Sequence, residues 1–345
     1  MNRLAGAVNT RITVGVVIGT AIIIGVVAVF RLDSTGKKGS GLGDEFKYDV
    51  KDLGKIDPEL ILYEQSSEPI ATGLEISRAI AVDGRGNVYI AGDNAVRIIG
   101  EGNPSKRIEL SAAPGCVTVA DDGRIFVGLR EHVEVFDVAG KRLASWPSLG
   151  DDAVLTSIAV YKDNVFAADA GNRIVLRYDA AGRLVNRIGA GDDTRNIPGF
   201  VVPSPYFDLA VARDGLLRVV NPGRHRIEAY TFDGDLEFWW GRYSAGLEGF
   251  CGCCNPVSFA LLGDGGFVTC EKGLTRVKIY DAEGRFVGVV AGPEQLTGGK
   301  WNICEIPSAC RLGGFDVAAG VDGRIFVLDT VKNIVRTFTR TRAGK

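Results

Sequence analysis

From Ala79 onward the chain alternates apolar and polar positions in short runs, and the runs come in sets. Segments starting at Ala79, Cys116, Ser157, Phe207, Val257 and Phe315 each read as an alternating strand, a tight turn and a second alternating strand. The turn usually carries an Asp-Gly pair, as at Asp122-Gly123, Asp214-Gly215, Asp264-Gly265 and Asp322-Gly323. Such pairs suit turns that need positive φ, so these aspartates are turn formers rather than acid–base groups. A third strand follows in every set (VRII, VEVFD, IVLRYD, IEAYTFD, VKIYD, IVRTFT), and in four sets a second glycine turn leads into a fourth strand. Short strands recurring in fours every ~40–50 residues predict propeller blades.

The pattern predicts an all-β, six-bladed propeller over residues 58–345. The last set supplies three strands, so closing the ring requires an outer strand from the domain's start. Leu60-Ile61-Leu62-Tyr63-Glu64 is the available segment, and pairing the two chain ends hides sheet edges. Alternation in the outer strand of the fourth set buries one of Trp239 and Trp240 and exposes the other.

Blade three, IAVYKDNVFAADAGNRIVLRYDAAGRLVNRIG, resembles the NHL repeat: an inner strand, then "vyvaD", "gNrI", "fd", "Gr" and a closing "iG". The other blades resemble it more weakly, over about residues 58–340. The resemblance implies a six-bladed propeller and leaves activity open, since such propellers include binding scaffolds, receptor ectodomains and a few lyases. The lyases hold zinc on the axis through several histidines, and this chain has two in all, His132 and His225. Arg173 and Arg276 fall near the "gNrI" position, where a structural arginine bonding between blades is expected. GFCGCCNP, from Gly249, is similar to a segment of bacterial membrane-anchored NHL proteins of unassigned role.

Ahead of the repeats the periodicity disappears. Residues 1–11 form a short tail, and Ile12 to Phe30 is uncharged and apolar, long enough to span a ~30 Å hydrocarbon core as a helix. A cleaved signal peptide would have a shorter apolar region and a small-residue cleavage site. A transmembrane signal anchor is the expectation, with the propeller extracytoplasmic (periplasmic); flanking basic residues nearly balance, so a cytoplasmic propeller stays open. Residues 31–57, rich in Gly, Ser and charge, read as a flexible linker. Formal net charge is −2, which argues against a nucleic-acid partner.

Six of the seven cysteines fall late in the chain: Cys251, Cys253, Cys254, Cys270, Cys304 and Cys310. In a propeller, blade-to-blade connections and the loops between second and third strands share one face. Topology therefore gathers all six on one face around the top of blade five, the face that also carries the long connections 190–205, 242–256 and 292–314. Three chemistries stay open for them: disulfide staples, in which adjacent Cys253 and Cys254 would normally take different partners; thiolates holding an iron–sulfur cluster or zinc, with Cys251, Cys253, Cys254 and Cys270 the first ligand set; or reduced thiols with no role. Cys116, across the ring, is expected to be a buried free thiol. Arg224, His225, Arg226, Lys272 and Trp301 fall on the same face and are candidate partner-binding residues for a protein docking over blades four to six. The leading expectation is a membrane-tethered binding scaffold. The alternative is a redox subunit carrying the cluster or zinc, and a propeller lyase or hydrolase is third.

Overall fold

The computed structural model describes residues 54–100, 105–300 and 314–341, together with Thr20. Apart from Thr20 these belong to one compact unit, Val50–Lys345. Six antiparallel sheets form six propeller blades; within each blade consecutive strands pair, and the sixth gains its outer edge from the start of the domain. The inner strands are Ser77–Val82, Cys116–Val119, Leu155–Tyr161, Leu209–Val211, Ser258–Leu261 and Phe315–Ala319, each beginning within two residues of its predicted start. The Asp-Gly turns place Gly123, Gly215, Gly265 and Gly323 at φ between 81° and 90°, the left-handed geometry that favours glycine.

Ring closure uses the chain's start, a few residues later than expected. Tyr63–Gln65 pairs with the last strand, Ile334–Arg340, and Ile70–Ala71 extends the same edge. Ile61 and Leu62 instead meet Val289 on the outer strand of blade five. The entering chain thus seals two blade edges, which protects both from further pairing.

Large aromatic residues wedge between blades. Trp146, immediately after the outer strand of blade two, packs on Tyr178 of blade three, ring centroids 4.7 Å apart. Trp240 repeats this between blades four and five, 4.8 Å from Tyr280 and from Phe267, while Trp239 is exposed. Each indole lies over a turn glycine, Gly182 or Gly284, where a Cβ would run into the ring.

Among the described residues no helix is long and apolar enough to cross a membrane. The predicted span Ile12–Phe30, Thr20 excepted, lies outside the described residues, as do Trp301, Cys304 and Cys310.

Candidate functional site: the loop face and the axial cavity

The connection 242–256, which carries three cysteines, is fastened to blade five at several points. Glu271, at the end of that blade's second strand, is fully buried, and its Oε1 accepts the Cys251 N–H at 3.0 Å. Its carboxylate also takes Arg276 Nε at 2.6 Å and Lys278 Nζ at 2.9 Å. Lys278 donates onward to the Gly249 carbonyl, Arg276 to that of Ala245 and Tyr280 to that of Leu247. Phe250, fully buried, lies 4.5 Å beneath the Lys278 ammonium. The two cations hold the Glu271 carboxyl below its ordinary range despite burial, while burial brings Lys278 down to about 8.

This clamp belongs to the repeat. Sheet register puts Glu271 in the place of Asp169 in blade three and Asn221 in blade four. Asp169 accepts the Val154 N–H and Asn221 the Val201 N–H, each from the connection leading into its own blade. Register also corrects the expected arginine pairing. Arg276 stands in register with Ile174 rather than Arg173; it is buried against Glu271, whereas Arg173 is exposed in left-handed geometry.

The cysteines on this anchored loop occupy different surroundings. Cys251 is half-buried, Cys253 is exposed and Cys254 is buried, and the last two sulfurs are 3.5 Å apart. Asn255 closes the turn, with its side chain donating to the Cys251 carbonyl and accepting the Lys272 N–H at 2.7 Å. Cys270 is fully buried in the apolar core shared by blades five and six, and burial pushes its thiol well above the ordinary range. Among the described residues no group of three or more His, Cys, Asp or Glu side chains converges as a metal site. Cys116 is a buried free thiol on the inner strand of blade two.

The candidate partner-binding residues also divide. Lys272 reaches over the Tyr206 ring at 5.0 Å. Arg224 is exposed, with one contact to the Pro198 carbonyl. His225, left-handed at φ 56°, lies edge-on to Tyr243. Arg226 is tied into the ion pair with buried Glu228 and stacked on Trp239, so its guanidinium is already committed.

The sequence reading missed the axis. A cavity of about 450 Å³ runs between the inner strands of all six blades. Its lining ends within the strands at Val82, Leu261 and Ala319, but at the opposite end it reaches the connection residues Pro205, Tyr206 and Gly314 and the loop residue Thr330. The cavity therefore meets the loops on the face that carries the cysteine connection. Register aligns Ala79, Cys116, Ser157, Asp208, Ser258 and Asp316 as a belt around it. The belt stitches blades together: Leu209 N–H donates to Ser157 Oγ, Phe259 N–H to Asp208 Oδ2 at 2.8 Å, and Ile80 N–H to Asp316 Oδ2 at 2.9 Å. Ser258 Oγ donates to the other Asp316 oxygen. Burial, then the charge of Asp316, raises Asp208 to about 7, and burial also raises Asp316. Arg78 lines the same cavity, one residue before the belt, and its buried Nε has no hydrogen-bond partner among the described residues. A signal for the belt was present, since Phe207-Asp208 and Phe315-Asp316 recur at one repeat position.

Similar architectures occur among solved structures. A streptogramin B lyase aligns with TM-score 0.55 and 11% identity over 83% of this chain and 100% of that chain. Virginiamycin B lyase from Staphylococcus aureus gives 0.56 and 14%, over 81% of this chain and 100% of that one. The WD40 propeller domain of Doa1 gives 0.52 and 15%, over 78% and 80%. No protein-family model and no curated protein matches the sequence. At such identities the likeness establishes a β-propeller and no activity.

Proposed function

We propose that this chain is a membrane-tethered binding propeller that takes a ligand with an anionic group, free or at the tip of a partner protein, into the loop-face end of its axial cavity. One observation carries the reading: the cavity reaches the loops at that end and is lined by Arg78, whose buried Nε lacks a hydrogen-bond partner among the described residues. An arginine fork suits a carboxylate or phosphate, and a volume of about 450 Å³ falls within the ~300–1,000 Å³ of small-molecule sites. Lys272 over Tyr206 adds a second cation beside the lining. The anchored connection 242–256 gives a partner a firm surface. Tethering rests on the uncharged Ile12–Phe30 segment, and the short tail before it supports an extracytoplasmic propeller.

The test uses the full chain in detergent micelles. Thermal melts with inorganic phosphate, citrate and glutamate as probes should rise with at least one, and Arg78→Ala should abolish the rise. No shift with any probe, or an unchanged shift in Arg78→Ala, overturns the anion-binding reading. A periplasmic reporter fused to the C-terminus tests the orientation separately. The redox alternative predicts stoichiometric iron or zinc in anaerobically purified protein.

A further inference from the structure

The two adjacent cysteines of the anchored loop are more than an accident of composition. Their sulfurs lie 3.5 Å apart, with Cys253 exposed and Cys254 buried. The loop on either side is held in place. Before the pair, Cys251 N–H is fixed on Glu271; after it, the Asn255 side chain bridges the Cys251 carbonyl and the Lys272 N–H. Burial raises the Cys254 thiol, and Lys272, whose charge favours the thiolate, offsets part of that effect. Of the three other described cysteines, Cys270 and Cys116 are sealed in apolar cores, and only half-buried Cys251 lies on the same loop.

We propose that Cys253 and Cys254 form a vicinal dithiol, a two-electron modification site that a small disulfide oxidant closes into an intraloop disulfide. Exposed Cys253, as its thiolate, attacks one sulfur of the oxidant RSSR, and RS⁻ leaves. Cys254, as its thiolate, then attacks Cys253 Sγ and displaces the second RS⁻. The protons given up by the two thiols end on these leaving groups. Two thiols are oxidised, RSSR is reduced to two RSH, and the new S–S bond closes a ring across one peptide bond. Adjacent Cα atoms are held ~3.8 Å apart, short of the ~4.4–6.8 Å usual for disulfides. The closed form is therefore strained and readily reduced, as in labile rather than structural disulfides. Its position gives the change a consequence. Asn255, next to the pair, holds the backbone of Lys272, whose side chain covers Tyr206 at the cavity's loop end.

The experiment uses the full chain in detergent. The reduced protein should bind one equivalent of phenylarsine oxide, which joins two thiols to one arsenic with release of water. Cys253→Ser and Cys254→Ser should each abolish binding, while Cys251→Ser and Cys270→Ser retain it. Melting curves confirm that each variant is folded, and Cys253→Ser, at an exposed position, keeps the test sound if a buried replacement unfolds. After treatment with glutathione disulfide, peptide mass spectrometry should find Cys253 and Cys254 protected from alkylation until reduction, with loss of two hydrogens in the peptide that carries both. Arsenical binding that survives in Cys253→Ser overturns the proposal. So does an oxidised product joining Cys253 or Cys254 to Cys251, Cys304 or Cys310. Neither readout depends on Arg78, so failure here leaves the anion-binding test standing.

Discussion

Blades three and five solve one problem with different chemistry. In blade three, Asp169 accepts the N–H groups of Gly171 and Asn172 from its own compact turn and that of Val154 from the connection into the blade. In blade five the same register position is Glu271, whose longer arm reaches Cys251 and is flanked by Arg276 and Lys278 within the sheet. A short carboxylate whose Oδ1 takes three backbone N–H groups and whose Oδ2 takes the Asn172 side-chain amide needs no counter-ion. A longer one, buried completely and facing a longer connection, is stabilised by two cations that then fasten three loop carbonyls through themselves and Tyr280. The repeat thus supplies the socket, and the variant residues adapt it to hold a cysteine-bearing loop.

The sharpest way to break this comparison is to neutralise each carboxylate. Glu271→Gln leaves Arg276 and Lys278 buried without a counter-charge, which costs about 3–5 kcal/mol. Asp169→Asn keeps an acceptor for backbone donors and should cost about 1–2 kcal/mol. Denaturant melts of the two variants measure the gap, and proteolysis should reveal release of the 242–256 connection in Glu271→Gln alone. Equal losses would mean that the cation pair contributes nothing beyond the repeat's own device.

A second contrast lies in the axial belt, where blade three uses neutral Ser157 and blades four and six use Asp208 and Asp316. Asp208 is raised to about 7 in the folded state, against the ~3.9 of an ordinary aspartate in the unfolded chain. The folded state therefore holds its proton more tightly. This contribution is complete below pH ~4 and is lost as pH rises through about 7. Each unit of the shift realised in solution is worth about 1.4 kcal/mol. Stability should fall between pH 5 and pH 8, and Asp208→Asn, which preserves an oxygen for Phe259 N–H, should flatten that slope. A melting temperature independent of pH in the parent chain would contradict the assignment.

Much of the scaffold was legible because it depends on local repetition. Alternation gave the strands, glycine after aspartate gave the turns, and six sets gave six blades. The face shared by the connections followed from topology. The clamp was harder to read, because its members change identity between blades: Asp169, Asn221 and Glu271 share a place, as do Glu228 and Lys278. Arg276 was misaligned with Arg173 for a related reason, since the blade-five loop turns at Gly273 rather than at a left-handed arginine. The belt was hidden because each aspartate is embedded in an apolar run, where it reads as a strand start. Its meaning emerges from inter-blade hydrogen bonds that no local window contains.

Cys116 offers the smallest expected effect and the finest discrimination. It occupies the belt position that is serine in blades three and five and aspartate in blades four and six. If the belt is a polar stitch repeated around the axis, Cys116→Ser introduces the residue two other blades already use. Its cost should then stay below about 1 kcal/mol, whereas a hydroxyl buried without a partner costs about 1–3 kcal/mol. Cys116 is 3% exposed and burial raises its thiol, so a thiol-labelling reagent should pass it by in the folded chain while modifying Cys253. A large loss in Cys116→Ser would show that blade two departs from the stitch and that its belt position is an apolar socket filled by sulfur.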